Sequence, residues 1–326
     1  MNTHKNLPNW LYDYIFNQLG AEEKPNPKEF CKNLHSDDEK NRIYLGTYFP
    51  RSFAESYCIH ANMFGYEPYR TCLLAKDKLS VLSIGCGTGG DILGLICAIA
   101  RYLPHIKKLK IVAFDGNNIA IDYLSDLLDL GVITARFDIA DKDKRYVPLP
   151  VTCVEDLIHY TDHMGDGYDL ITSFKFVNEL MDAGIFKQDG FKVLADILAP
   201  KLNETGLLTI LDVTDKHYEV FQPKNLNSGL CVFSKANDGY KTLLPIPCHF
   251  YDKKCVGGRC FTNKRFFGTF TADDKVAYRV IGRSDFVDAL YKNLKEDVLY
   301  ARNVDNESCP GFRGRRTIAD AFDINS

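Results

Sequence analysis

Leu79-Ser-Val-Leu-Ser-Ile-Gly-Cys-Gly-Thr-Gly-Gly-Asp91 is the stretch that decides the fold. Its apolar run, Val81 to Ile84, is broken only by Ser83 and has the length and composition of a buried parallel strand. Glycines stand at 85, 87 and 89, with Gly90 beside the last. The apolar stretch Ile92 to Ala100 then predicts a helix. Strand, glycine turn and helix in that order are the layout of a nucleotide-binding βαβ unit. A side chain at Gly85 or Gly87 would stand where a ligand has to touch backbone, and glycine also tolerates positive φ.

Working outward, the next apolar run, Lys110 to Phe114, predicts a second strand and ends in Asp115. A carboxylate there can accept from both hydroxyls of a ribose, at roughly 1.5–3 kcal/mol for each charge-assisted bond. Gly85, Gly87 and Gly90 also satisfy the dinucleotide pattern G-x-G-x-x-G, so a nicotinamide cofactor competes at this point.

The order Gly85-x-Gly87-x-Gly89-Gly90-Asp91, followed by Phe114-Asp115-Gly116-Asn117, resembles motif I and the next acidic motif of the class I S-adenosylmethionine (SAM) methyltransferases. The resemblance covers about residues 45 to 215. It implies SAM as cofactor, cradled by Gly85, Gly87 and Gly89, with Asp115, Gly116 and Asn117 at its ribose. The family usually carries an acid two residues before the first glycine, where it helps hold the methionine ammonium. This chain has Ser83 there, which leaves that contact to Asp91 or to a residue upstream. A Rossmann-like domain without cofactor is the competing reading.

Beyond the glycine turn the pattern alternates. Helices are predicted at 91–103, 117–129, 153–163 and 177–199, the last broken near Gly184. Strands are predicted at 110–115, 132–138, 168–174 and 206–213, with a linker-like stretch at 140–152. Such a series makes a mostly parallel sheet with helices on both faces, an α/β Rossmann-like class. Ligands of these sheets bind outside the carboxyl ends of the strands, which would align Gly85, Asp115, Asp138 and Phe174 on one rim. The resemblance gives Asp138, with Ile139 beside it and Asp141 as neighbour, to the adenine amino group. It gives the end of the fourth strand, Ile171-Thr-Ser-Phe-Lys-Phe-Val-Asn-Glu-Leu180, to the methyl-transfer site. Asn178 and Glu179 are the catalytic candidates. Transfer from a sulfonium needs mainly alignment. A base such as Glu179 matters when the acceptor carries a proton at working pH. Alternatively, Glu179 only charges the start of its helix.

Upstream, residues 8 to 20 read as a short amphipathic helix stopped by Gly20. Residues 21 to 42 read as a linker. Pro50 suits the first turn of a helix running to about Phe64. In the family such a helix covers the cofactor, so Tyr48 and Arg51 are candidates for the methionine carboxylate, against a plain packing role. Three regions result: an N-terminal helical cap (1–70), a Rossmann-like core (71–215) and a cysteine-rich, β-containing region (216–326).

The 326 residues, 45% apolar and 12% aromatic, support a packed core. The first ten residues lack an apolar signal segment, and no apolar run approaches the ~20 residues of a membrane span; a soluble, cytoplasmic protein is expected. Net charge is −3, so whole-chain charge does not point to nucleic acid. From residue 241 onward, however, 15 Lys/Arg stand against 11 Asp/Glu, a net +4.

Eleven cysteines in such a chain should be reduced, buried or metal-bound. Cys248, Cys255 and Cys260 are separated by six and four intervening residues, and Cys309 follows 49 residues after Cys260. Three near thiols and one distant thiol suit zinc or a 4Fe–4S cluster, with His249 and Cys231 as substitutes; free cysteines are the alternative. Strand-like runs at 229–233, 265–270 and 276–281 surround this loop. Tyr44 and Pro50, Asn178-Glu179-Leu180, and Pro247-Cys-His followed by two cysteines and Phe261 distantly resemble the ribosomal small-subunit-associated methyltransferase-like family. That family carries an iron–sulfur cluster and binds ribosomal RNA. Its usual Cys-Pro is Cys255-Val256 here. Lys253, Lys254, Arg259, Lys264, Arg265, Arg313, Arg315 and Arg316, interleaved with Phe250, Tyr251, Phe261, Phe266 and Phe312, have the composition of an RNA-gripping surface. They equally fit an ordinary basic surface.

The sequence therefore supports a SAM-dependent methyltransferase acting on RNA or a ribonucleoprotein. A methyltransferase of small molecules or natural products competes with it, as does a catalytically idle SAM-binding RNA or assembly factor.

Overall fold

The computed structural model describes residues 7–24, 37–217, 219–245, 260–267, 270–292 and 315–316, without the side chains of 216, 217, 261–267, 270–274, 315 and 316. The fold is α/β and Rossmann-like: mostly parallel strands alternate with helices that flank them. Two compact units are present, one built on the chain up to Pro150 with Asn263–Asp274, the other on Val151–Thr262 and the segment from Lys275.

The first unit opens with α1 (Asn9–Tyr12), which passes into a π-helical turn, Asp13–Gln18. Helix α2 (Asp38–Thr47) starts at Asp37, whose carboxylate accepts from the Lys40 N–H at 2.9 Å. An aspartate at the cap and acids in the first turn satisfy and complement the free N–H groups there. Residues 38 to 42 thus belong to a helix, not to the expected linker. Helix α3 (Phe49–Gly65) carries Pro50 in its first turn, as expected, and α4 (Glu67–Cys72) follows.

Next come β1 (Lys78–Ile84), α5 (Gly90–Tyr102), β2 (Lys108–Asp115), α6 (Asn118–Leu128), α7 (Gly131–Thr134) and β3 (Lys144–Pro148). Strands β1 and β2 run parallel, with Ile84 beside Phe114. Strands β2 and β3 also run parallel, with Asp115 beside Pro148. Helix α5 is buried from Gly90 to Ala100, as its apolar composition on every face requires. Glycines four residues apart let α3 approach it at backbone distance. A Cβ on Gly90 would stand 2.6 Å from the Phe49 carbonyl oxygen, and one on Gly94 2.3 Å from that of Phe53.

The third strand departs from expectation. Gly131–Thr134 is a helical turn, and the strand is Lys144–Pro148, inside the stretch read as a linker. Asp138 makes only an isolated parallel bridge, to Lys108.

In the second unit α8 (Val154–Asp162) leads to β4 (Tyr168–Phe174), buried throughout, then α9 (Phe176–Asp182), α10 (Gly190–Leu198) and β5 (Leu202–Val213). Strands β4 and β5 are parallel, with Phe174 beside Leu211. After the short pair β6 (Lys216–His217) and β7 (Val220–Phe221) comes α11 (Gln222–Ala236). The run 229–233, expected as a strand, lies inside α11. Its buried positions include Leu226, Gly229, Leu230 and Phe233, a helical spacing. Strands β8 (Tyr240–Leu244), β9 (Phe261–Phe267) and β10 (Phe270–Arg283), helix α12 (Ser284–Tyr291) and the short strand β11 (Arg315–Arg316) follow in the chain, with Asn263–Asp274 of β9 and β10 belonging to the first unit. Strand β10 pairs antiparallel with β5, Tyr278 beside Leu211. Among the described residues no helix is long and apolar enough to cross a membrane.

Candidate functional site

The carboxyl ends of β1 and β2 meet at the glycine turn. The turn folds back on β2: the N–H groups of Gly85 and Cys86 both donate to the Phe114 carbonyl, at 2.8 and 3.0 Å. Gly87 and Gly89 have φ of +51° and +86°, values that side-chain-bearing residues rarely adopt. Gly89 also faces Leu124, whose Cδ1 would lie 2.4 Å from an added Cβ.

Asp115 organises this turn. Its Oδ2 accepts from the Gly87 N–H at 2.7 Å and its Oδ1 from the Asn117 N–H at 2.9 Å. Burial pushes its carboxyl above the usual range; the Asn117 and Gly87 N–H groups pull it back, and Asp91 adds to the rise. Each carboxylate oxygen keeps acceptor capacity beyond one N–H. Asp115 can therefore hold the turn and still receive two hydroxyls.

Asp91 sits in the first turn of α5, 3% exposed, and accepts a 2.7 Å hydrogen bond from Ser83 Oγ. The helix N-terminus favours its charge. A carboxylate thus stands beside residue 83 although the residue itself carries none. Cys86 feels both acids: its thiol is pushed well up by burial, then by Asp115 and Asp91. Thr88, within the turn, is 1% exposed, and its hydroxyl has no hydrogen-bond partner among the described residues. An unsatisfied buried hydroxyl is costly, and this one stands between two glycines of the turn. Thr88 escaped the sequence reading, because a threonine between two glycines carries no signal of its own.

Helix α2 covers the turn from the N-terminal side through Tyr44, which the sequence reading quoted only as part of a motif and gave no place at the turn. A Cβ on Gly87 would stand 3.2 Å from both Cε1 and the hydroxyl oxygen of Tyr44. The Tyr44 and Tyr48 rings lie 4.9 Å apart, and the Arg51 guanidinium covers the Tyr48 ring at 5.0 Å. Below them Asn117 Nδ2 donates to Asn41 Oδ1 at 2.9 Å, while Asn117 Oδ1 caps α6 through the Ala120 N–H. The Tyr123 hydroxyl donates to Asp38 at 2.8 Å. One face of α2, at 38, 41 and 44, with Tyr48 just past its end, therefore packs on α6 and the glycine turn. The signal for it was the capped acidic start Asp37-Asp-Glu39.

Asp138 and Ile139 do not join this rim. Asp138 bridges Lys108, the first residue of β2, whereas Asp115 is the last. They line a hollow with Lys107, Thr134, Arg136 and Phe137 at the opposite end of the strand. The rim neighbour of Asp115 is Pro148, followed by the exposed Leu149.

In the second unit Phe174 ends β4, buried. Lys175 follows in left-handed conformation (φ 63°), its N–H donating to the Leu211 carbonyl at 2.7 Å. This turn sends the chain into α9, where Asn178 and Glu179 are half-buried. The Asn178 N–H donates to Asp212 Oδ2 at 3.0 Å, so the buried Asp212 anchors the helix that presents both candidates.

Of the cysteines expected as ligands, Cys248, Cys255 and Cys309 lie outside the described residues, as do Lys253, Lys254, Arg259, Arg313 and the side chains of Lys264, Arg265, Arg315 and Arg316. Cys260 is described: its sulfur accepts from the Tyr278 N–H at 3.4 Å and lies 3.7 Å from Arg279 Nη1. Among the described residues no group of three His, Cys, Asp or Glu side chains could hold a metal.

No protein-family model and no curated protein matches the chain. Among solved structures it is similar to the plantazolicin methyltransferase BpumL in complex with SAH, at 14% identity over 72% of this chain and 82% of that one, with a TM-score of 0.41. It is also similar to the mitomycin 7-O-methyltransferase MmcR (13% identity, 84% and 68%, TM-score 0.42). A TehB-like SAM-dependent methyltransferase from Corynebacterium glutamicum matches at 15% identity over 67% and 88%, TM-score 0.33. At these scores the likeness carries no conclusion about what the chain does.

Proposed function

We propose that the chain is a SAM-dependent methyltransferase. The observation that carries this reading is Asp115. It ends β2, holds the glycine turn through Gly87 and Asn117, and keeps acceptor capacity for a ribose. The unpartnered buried Thr88 hydroxyl and the side-chain-free backbone at Gly85 and Gly87 support it. When bound, SAM supplies a methyl group made electrophilic by a sulfonium. Asp115 would receive the ribose hydroxyls, and Asp91, set by Ser83, would face the methionine ammonium. Tyr48 and Arg51 are retained as partners of the methionine carboxylate. With Asp138 and Ile139 at the far end of β2, the apolar contact for the purine passes to Leu149 beside the rim. Asn178 and Glu179 are proposed to align and deprotonate the acceptor.

RNA or a ribonucleoprotein is the acceptor proposed, on the strength of the basic and aromatic sequence around Cys248 to Cys260; a small molecule is the competing acceptor. Zinc or an iron–sulfur cluster at Cys248, Cys255, Cys260 and Cys309 belongs to the RNA reading. Labelled methyl transfer from SAM into cell extract, with and without ribonuclease, separates the two. Ribonuclease-sensitive label supports RNA, label in small molecules supports the alternative, and SAM binding without transfer supports an idle binding factor.

A further inference from the structure

We infer that Asn41 is a positioning residue for the cofactor acid: through Asn117 it couples the seating of α2 on the glycine turn to the occupation of Asp115. The inference rests on the SAM reading above and deepens it at one residue outside the proposed contacts.

A continuous run of hydrogen bonds joins the two. Asp115 Oδ1 accepts from the Asn117 N–H at 2.9 Å. Asn117 Nδ2 donates to Asn41 Oδ1 at 2.9 Å, and Asn41 Nδ2 donates to the Asp37 carbonyl, also at 2.9 Å. The ends of the run fix its direction. Asn117 Oδ1 is taken up by the Ala120 N–H at 3.3 Å, which turns its amide nitrogen toward Asn41. At the other end the Asp37 carbonyl can only accept, so Asn41 presents its own nitrogen there and its oxygen to Asn117. Asn41 and Asn117 are 0% and 3% exposed, a setting in which water does not readily replace a lost partner.

Helix α2 is held unevenly along its length. In its second half Ile43, Leu45, Gly46 and Thr47 are buried. Residues 22 to 24 lie along that half: the Glu22 N–H donates to the Arg42 carbonyl at 3.1 Å, and the Lys24 N–H to Thr47 Oγ1 at 3.0 Å. Gly46 lets them come close, since a Cβ there would stand 2.3 Å from the Glu22 carbonyl oxygen. The start of the helix, Asp37 to Lys40, is exposed. It is tied to α6 by the Tyr123–Asp38 bond at the surface and by the Asn41–Asn117 bond beneath it. A helix of 10 residues is marginal by itself, so this start can open locally while the second half stays packed. Ribose hydroxyls on Asp115 would fix its carboxylate, and with it the Asn117 N–H that the carboxylate holds. A ligand that orders Asn117 lowers the cost of ordering Asn41, and by linkage a seated Asn41 strengthens binding of the ligand equally.

The test combines calorimetric SAM affinity with amide hydrogen exchange, measured with and without saturating SAM, on the full chain and on Asn41→Ser and Tyr123→Phe. In the wild type SAM is expected to slow exchange of the Asn41 to Tyr44 amides about fivefold or more, the lower end of ordinary coupling between sites. Asn41→Ser is expected to bind SAM about fivefold or more weakly and to show less than about twofold slowing there. Tyr123→Phe removes the surface tie alone and is expected to keep both quantities within about twofold of the wild type. SAM binding to the wild type without slowed exchange in α2 would overturn the inference, with the SAM reading intact and whether or not Asn41→Ser folds. Wild-type affinity and slowing in Asn41→Ser would overturn it as well, as would equal losses in Asn41→Ser and Tyr123→Phe, which would make α2 a plain packing element. Failure of the unsubstituted chain to bind SAM would overturn the SAM reading and the inference together.

Discussion

Ser83 Oγ donates a 2.7 Å hydrogen bond to Asp91 Oδ2. The strand contributes a hydroxyl, and a carboxylate reaches it from the first turn of the following helix. The pair lets the glycine turn present a carboxylate although its strand carries none. Asp91→Asn is expected to weaken SAM binding about tenfold or more, the scale of a lost charged hydrogen bond, and Ser83→Ala by less. Titration calorimetry measures both. Wild-type affinity in Asp91→Asn would remove Asp91 from the site.

Placing an acid at position 83 should do harm. In Ser83→Asp two carboxylates would lie within hydrogen-bond distance in a buried setting, and one pKa would be driven up. A raised carboxyl pKa favours the fold at low pH and costs stability as pH rises through it. Urea unfolding should show a larger loss at pH 7.5 than at pH 4.5; an equal loss at both would contradict the geometry.

The α3–α5 contact is set by backbone proximity. Gly94→Ala would put a methyl 2.3 Å from the Phe53 carbonyl oxygen, and overpacking of this kind costs about 1–3 kcal/mol or more. Gly131→Ala is the control, because nothing lies within 4 Å of its added Cβ. It should be neutral or slightly stabilising. Denaturant midpoints of the two variants check the pair.

His60 gives the fold an acid limit. It is fully buried on α3, with Nδ1 2.8 Å from the Ser56 carbonyl oxygen and 3.0 Å from Ser56 Oγ. Ser56 Oγ donates to the Asp91 carbonyl at 2.6 Å. Burial lowers the imidazole to about 4. Between that value and the unfolded value near 6.5 the unfolded chain binds the extra proton. Stability therefore falls as pH drops through this window, by about 3 kcal/mol in all. His60→Gln should flatten the slope of unfolding free energy against pH between 6.5 and 4. An unchanged slope would show that other groups set it.

The sequence made some of this visible and hid the rest for physical reasons. The β1–turn–α5–β2 segment was legible because its strands are apolar runs and its turn needs glycine. Strand β3 was not, because Lys144-Arg-Tyr-Val-Pro148 lies beyond β2 with only Val147 buried, and a charged strand of this kind reads as a linker. The β-branched run at 132–134 drew the strand assignment instead, although only Ile133 is buried there. Misplacing β3 carried Asp138 and Ile139 to the wrong end of β2. Gly229 to Phe233 looked like a strand because five residues cannot display a helical period; the full span from Gln222 does. The places of Tyr44 and Thr88 at the turn stayed hidden because they come from what these residues touch or lack, which no spacing records.

The most direct measurement is binding of SAM to the wild-type chain and to Asp115→Ala, with thermal unfolding recorded for both. The proposed site predicts saturable one-to-one binding by the wild type. It predicts no measurable binding by Asp115→Ala, in a protein that still unfolds cooperatively. Binding of similar strength in both proteins, or in neither, would contradict it.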